Sequence, residues 1–158
     1  MCIRDRYSAN AAEAHAAVLE NSDPFAAQLL SLLMGLATMV LFRVATDEYL
    51  ARRQSADTTL IASLIDSETP NLARHIASSW QLSERIDSAL ADQSAAGDLQ
   101  TSLGRSLSAG RFIGALAVLH ARNVLDEDAV KAELQSAGSV AGAYERIWKR
   151  LRVTPLQP

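Results

Sequence analysis

The sequence predicts an all-α protein, folded as a single compact bundle of helices. Glycine and proline, the residues that most often interrupt helices, number only 7 and 4 among the 158 residues. Alanine and leucine are abundant, runs of β-branched residues are almost absent, and every segment with a clear hydrophobic period has the helical one. A chain of this length can bury one good core, so we expect one domain of about seven or eight helices.

The first helix is predicted over residues 9–19, which are rich in alanine. After a short break, Asp23 can cap a second helix, and Pro24 suits its first position. This second helix is expected over residues 24–45, and residues 47–54 either continue it or form a turn of their own.

Two further helices are predicted before residue 81. Asp57 can cap the first of them. Its apolar stripe consists of Leu60, Ile61, Leu64 and Ile65. The pair Thr69-Pro70 is expected to open the second, because proline favours the first turn of a helix. Its inward residues are Leu72, Ile76 and Trp80.

Two helices separated by a loop are predicted after residue 82. Ser83 is expected to start a short helix with Ile86 and Leu90 inward. Residues 94–98 are the most loop-like stretch, and residues 103–121 form a long helix with a wide apolar face.

The last two helices are predicted from their caps. Asp126 caps a helix that ends near Gly138, and Ser139 caps the final one. The final helix turns its apolar side chains inward, namely Val140, Tyr144, Ile147 and Leu151.

The most apolar part of the chain is residues 24–42, which contain no charged side chain. This segment is long enough to cross a bilayer, and the arginines that follow it would suit a cytoplasmic flank. However, Gln28, Ser31 and Thr38 lower its hydrophobicity, and the later helices are amphipathic. A helix that is apolar all round can also be the centre of a soluble bundle. We therefore expect a core helix, with a membrane anchor over residues 24–42 as an alternative.

Residues with catalytic or metal-binding chemistry are scattered. His15, His75 and His120 are far apart in sequence and belong to no metal-binding motif, and the chain has one cysteine, which fits a reducing compartment. His75 is expected at a helix edge, and His120 near a helix end, where an imidazole commonly meets carbonyl groups. The carboxylates fall at caps and polar faces, namely Asp66, Glu68, Asp87, Asp92 and Asp98. No catalytic, metal-binding or cofactor-binding residue is predicted.

Nucleic acid is not an expected partner. Residues 72–90 have the spacing of a helix-turn-helix, but the second helix presents acidic side chains against the single Arg85, and the net charge is −3. The basic end of the chain is interpreted as a solvated helix face; it comprises Arg146, Lys149, Arg150 and Arg152. Gly110 and Gly114 predict close packing between two helices, because a GxxxG spacing allows backbones to approach.

The start of the chain, MCIRDR, resembles the translated remnant of a sequencing adapter. On this interpretation residues 1–7 are an artefactual leader, residues 8–152 are the helical domain, and residues 153–158 are a tail. We therefore expect the chain to be an N-terminally truncated fragment, and we give Cys2 no functional role.

Three segments, in the order in which they occur, resemble an HDOD domain. Residues 31–43 (SLLMGLATMVLFR) are similar to the family's LLHxxGxLVLFR helix, and residues 72–83 (LARHIASSWQLS) to its IAxxWxLP element, with Ser83 where proline is common. Residues 103–107 (LGRSL) and the helix after them are similar to its closing segment. The resemblance implies an HD/HDOD-type helical bundle, here its C-terminal portion.

The resemblance also implies a function. HDOD domains are bacterial, non-catalytic relatives of the HD phosphohydrolases, and they act as cytoplasmic signal-transduction and regulatory modules through protein partners. In HD enzymes the helix that matches residues 31–43 carries a His-Asp metal site, whereas residues 31–35 here contain no ionisable side chain. We expect a protein that is not an enzyme and needs no cofactor, with its small-molecule ligand left open. The alternatives are a metal-dependent HD-type phosphohydrolase and a membrane-anchored helical protein.

Overall fold

A computed structural model of the chain describes residues 3–94, 99, 101–137 and 140–153. Seven helices lie within these residues: α1 (Ile3–Val18), α2 (Pro24–Ala51), α3 (Thr58–Ser79), α4 (Glu84–Ala91), α5 (Ser102–Ala121), α6 (Glu127–Ser136) and α7 (Ala141–Val153). The described residues contain no strand. The predicted all-α class is confirmed.

Three helices begin at the aspartates predicted to cap them. The Asp23 carboxylate accepts hydrogen bonds from the backbone N–H groups of Phe25 and Ala26, at 3.0 and 3.1 Å. Asp57 and Asp126 cap α3 and α6 in the same way. Each cap satisfies N–H groups that have no partner inside the helix, which fixes where the helix starts.

The first two helices are longer than predicted. Helix α1 begins at Ile3 rather than residue 9, so the described part of the expected leader is helical. Helix α2 continues to Ala51 without a break, which settles the question left open over residues 47–54. Within-helix ion pairs join Arg43 to Asp47 and Glu48 to Arg52, and each exposed pair contributes about 0.3–0.5 kcal/mol.

The predicted break at Thr69-Pro70 is wrong, because α3 runs through both residues as one helix. Proline lacks an N–H donor and normally disrupts a helix interior. Here both residues are buried within the bundle, and the Thr69 hydroxyl donates a hydrogen bond of 2.5 Å to the Ile65 carbonyl. Tertiary packing of this part of α3 therefore outweighs the local cost of the proline.

The inward orientation predicted for Trp80 is also wrong. Helix α3 ends at Ser79, so Trp80 is its C-terminal capping residue and no longer continues the buried face of the helix. The Trp80 side chain is exposed. Of the predicted stripe at the start of α3, Ile61 is buried but Leu60 and Leu64 are exposed. Helix α3 packs mainly against α2 and α4, and the side of the helix that carries Leu60 and Leu64 is left uncovered.

The remaining helices agree with their predicted positions. Ile86 and Leu90 of α4 are buried, and α5 spans the long helix expected after residue 102. In α7, Ile147 and Leu151 are buried and Tyr144 is partly buried. Residues 95–98 and 138–139, which carry a predicted loop, helix end and cap, lie outside the described residues.

The core has two clusters that meet at α1 and α5. Helices α1 to α5 build the first around residues such as Leu30, Leu33 and Leu107, and α1, α5, α6 and α7 build the second. The backbones of α1 and α5 approach closely: a Cβ on Gly110 would lie 2.6 Å from the Cβ of Ala12. The close helix packing predicted from Gly110 and Gly114 is confirmed.

Candidate functional site

A groove of about 850 Å³ lies between α1, α2, α3 and α5. We call it the interhelical groove. Its apolar lining includes Met34, Met39, Phe42, Ile65, Phe112 and Val118. Small-molecule sites in proteins commonly have volumes of about 300–1,000 Å³ and mostly apolar walls. The interhelical groove therefore has the size and the lining of a ligand site.

The segment that resembles the HD metal-binding helix lines this groove. Ser31, Met34 and Gly35 all face it from α2. Gly35 packs against the buried Asp5 of α1, since a Cβ at position 35 would lie 2.7 Å from the Cγ of Asp5. None of these three α2 residues can ligate a hard cation through a charged side chain.

Ser31 places an unpartnered hydroxyl in the wall of the groove. The residue is only 3% exposed, and its Oγ is buried without a hydrogen-bond partner. A buried polar group without a partner costs about 1–3 kcal/mol relative to one that is hydrogen-bonded. The hydroxyl is thus available to a group that enters the groove.

The groove also has charged side chains. Arg111 of α5 approaches Asp66 of α3, but the nearest oxygen is 3.9 Å away, which is too far for a hydrogen bond. Burial lowers the pKa of Arg111, and of the nearby charges Asp66 raises this pKa and Arg4 lowers it. At the α1 end, Arg4 lies 3.7 Å from the Asp5 carboxylate. An arginine remains protonated at neutral pH despite such shifts.

The three histidines lie apart. His15 of α1 is buried, with its Nδ1 3.1 Å from the Ser106 hydroxyl. His75 is exposed on α3, as expected for a helix edge. His120 lies near the end of α5, as predicted, but its Nδ1 is 3.1 Å from the carbonyl of Leu125, which lies beyond the helix, rather than from a terminal carbonyl of α5. Among the described residues, no group of three or more His, Cys, Asp or Glu side chains could hold a metal ion.

The predicted scatter of the carboxylates is also observed. Asp87 pairs with Arg74 through two hydrogen bonds, at 2.9 and 3.0 Å, and so ties α4 to α3. Asp92 accepts hydrogen bonds from the backbone N–H and the hydroxyl of Thr101, and so holds the start of α5. Asp66 is exposed on α3, and Asp98 lies outside the described residues.

One polar cluster was not visible in the sequence. Arg105 of α5 forms two hydrogen bonds with Glu20, at 2.9 and 2.6 Å, close to the buried pair of His15 and Ser106. The Tyr144 ring of α7 meets the His15 ring at an angle of 61°, with the centroids 5.8 Å apart. These residues come from distant parts of the chain, so no local pattern could have found them.

A second notable surface is the projecting end of the α2–α3 pair. We call residues 39–64 the apolar arm. Its exposed large apolar side chains are Met39, Val40, Phe42, Val44, Leu50, Leu60 and Leu64. Phe42, Val44 and Leu50 are 55%, 61% and 69% exposed, so they contribute little to the core.

Helix α2 is a core helix only in its first half. Among the described residues, α2 is the one helix that is long and apolar enough to cross a membrane. Its most apolar 18-residue window has a mean hydropathy of 2.0. Only 39% of that window is buried inside the bundle. The expectation of a central helix therefore applies to residues 24–37, and the remaining residues of α2 belong mostly to the apolar arm.

No family model matches this chain, and neither a curated protein nor a solved structure matches it. The comparisons therefore add no assignment to the groove or to the apolar arm, and the resemblance to an HDOD domain stays a prediction from the sequence motifs.

Proposed function

We propose that this chain is a non-catalytic regulatory module of the HD/HDOD type that binds a protein partner through the apolar arm. The observation that carries the proposal is the number of exposed large apolar side chains on the apolar arm, which include Phe42, Val44 and Leu50. A concentration of exposed apolar side chains on one part of a molecule favours an interaction surface, because leaving them in water is unfavourable. The motif order over residues 31–107 supports the family assignment and, with it, a role in bacterial cytoplasmic signalling.

The proposal includes one further point from the sequence. The chain also performs no phosphate-ester hydrolysis, because the part of α2 that would carry the metal ligands presents Ser31, Met34 and Gly35 to the groove.

A membrane anchor is the second candidate function, and it is favoured by one observation. The most apolar window of α2 is largely unburied in the bundle. However, the first half of that segment is packed inside the bundle, where Leu30, Leu33 and Met34 are buried. A span over residues 24–42 would remove these side chains from the core, so a water-facing arm is the better fit.

Site-specific photo-crosslinking in bacterial cells tests the proposal. A benzophenone amino acid is placed at Val44, and a matched control is placed at Glu133, an exposed residue of α6. We expect a discrete protein adduct from position 44 in the soluble fraction and none from position 133. Recovery of the position-44 chain only in the membrane fraction would support the anchor instead, and the absence of any position-44 adduct in the soluble fraction would overturn the partner-binding role.

A further inference from the structure

We propose that the interhelical groove binds a small amphiphile that has an apolar body and an anionic head group, such as a medium-chain carboxylate. The groove is formed by α1, α5, the buried part of α2 and the side of α3 that faces it. This site is separate from the partner-binding role proposed for the apolar arm, although Met39 and Phe42 contribute to both surfaces.

The shape and lining of the groove suit the apolar body. Apolar side chains from three helices line its walls, and two of them, Met34 and Met39, are methionines. Methionine side chains are unbranched and adapt to differently shaped apolar ligands. A volume of about 850 Å³ accommodates a chain of eight to ten carbons, and binding would remove apolar surface of both partners from water.

Two polar groups suit the anionic head. The Ser31 hydroxyl is buried in the groove wall without a partner, so a ligand oxygen would satisfy it. The guanidinium of Arg111 forms no hydrogen bond with the described residues, and its carboxylate neighbour, Asp66, is 3.9 Å away and largely exposed. Arginine binds carboxylates through two parallel hydrogen bonds, and such bonds are stronger where water is partly excluded.

The charge balance of the groove favours an anion at Arg111 rather than a cation. Asp5, the buried carboxylate, lies 3.7 Å from Arg4, so its charge already has a cationic neighbour at the α1 end. Asp66 has a largely exposed side chain and faces water. The guanidinium of Arg111 therefore has hydrogen-bonding capacity left for a ligand, as does that of Arg4 at the α1 end of the groove.

Calorimetric titration of the full chain with octanoate tests the location of the site. Ala62 is an exposed residue of α3 that lines the groove, so Ala62→Phe should fill it without disturbing the core. Ser63→Phe is the matched control, because Ser63 is the next residue of α3 and is also exposed, but it does not line the groove. We expect one saturable site per chain, lost in Ala62→Phe and kept in Ser63→Phe. Equal binding by the two variants, or no saturable binding by the parent chain, would overturn the proposal.

A second titration tests the role of the charge. Arg111→Gln should weaken octanoate binding at least about tenfold, while Arg122→Gln, at the far end of the same helix, should leave it unchanged. Octan-1-ol, which has the same chain and no charge, should bind the parent chain and Arg111→Gln equally. An equal affinity of the parent chain for octanoate and octan-1-ol would contradict the proposed recognition of an anionic head group.

Sedimentation velocity tests whether a second copy of the chain fills the groove instead. A dimer of the parent chain that dissociates in Ala62→Phe would mean that it does, which also contradicts the proposal.

Discussion

Two buried serines show how the same residue type can have opposite effects on stability. Ser106 is completely buried, and its hydroxyl lies 3.1 Å from the Nδ1 of His15. Ser31 is almost as buried, but its hydroxyl has no partner. A satisfied hydroxyl contributes a net hydrogen bond, whereas an unsatisfied one only costs desolvation.

The contrast predicts opposite results for two alanine substitutions. Ser31→Ala should raise the free energy of unfolding by about 1 kcal/mol, because it removes a buried hydroxyl that has no partner. Ser106→Ala should lower it by about 1–2 kcal/mol, because it leaves the His15 nitrogen without its partner. Urea denaturation of the two variants and the parent chain measures both values. A loss of stability in Ser31→Ala would show that its hydroxyl is hydrogen-bonded in the folded protein.

His15 links stability to pH. Burial lowers the pKa of His15; the nearby Glu20 partly opposes this, and Arg105 adds to it. The groups facing the ring are the Ser106 hydroxyl of α5, the Tyr144 ring of α7, and the Glu20–Arg105 pair. The folded chain therefore keeps His15 neutral at a pH where the unfolded chain protonates it.

The predicted result is a loss of stability on mild acidification. As the pH falls through about 6.5, the unfolded state binds a proton at His15 before the folded state does, and the free energy of unfolding decreases. The loss stops once the pH is below the lowered pKa of folded His15. Urea denaturation at a series of pH values should show this slope in the parent chain but not in His15→Asn. The same slope in both chains would contradict the role of His15.

Glu20 makes a separate contribution at lower pH. The pKa of Glu20 is lowered mainly by its hydrogen bond to Arg105, so the loss of stability due to Glu20 comes at more acidic pH, below the ordinary pKa of a glutamate.

At the scale of elements, the contact between α1 and α5 organises the bundle. Gly110 and Gly114 leave no space for a side chain, because Ser8 and Ala12 of α1 lie against them. Alanine-rich α1 completes the contact, with Ala11, Ala12 and Ala16 fully buried. Small residues on both helices thus let the backbones approach closely.

This packing predicts that one glycine is required and another is not. Gly110→Ala should lower the free energy of unfolding by about 1–3 kcal/mol through overpacking, although alanine is the better helix former. Gly142→Ala is the control, because a Cβ on this α7 residue has no atom within 4 Å. It should raise stability by about 0.5–1 kcal/mol. Thermal or urea denaturation measures both, and a stable Gly110→Ala would contradict the close approach of α1 and α5.

Helix boundaries were predictable where they depend on local chemistry. Asp23, Asp57 and Asp126 begin their helices as expected, because a cap involves only residues two or three positions away. Pro70 shows the limit of such reasoning. Its local preference favours a helix start, but the packing of α3 against its neighbours outweighs that preference, and packing partners cannot be read from a local pattern.

At the scale of the whole molecule, the two candidate sites differ in how far the sequence could predict them. The apolar composition of α2 was evident, but its burial depends on where the other helices end, so the exposure of Val44 and Leu50 was not. The groove combines residues of four helices, and residues as far apart in sequence as Ser31 and Arg111 line it together only through the fold.

The apolar arm projects into water from the folded bundle, and thiol labelling tests this exposure most directly. With Cys2 replaced by serine, Val44→Cys and Ala37→Cys each place one thiol on α2, at an exposed position and at a buried position that does not line the groove. In detergent-free buffer, a maleimide should modify Val44→Cys about as fast as a small free thiol, and Ala37→Cys at least roughly tenfold more slowly. Equal protection of the two thiols would contradict the account, because it would show that lipid, a second copy or another part of the chain covers the arm.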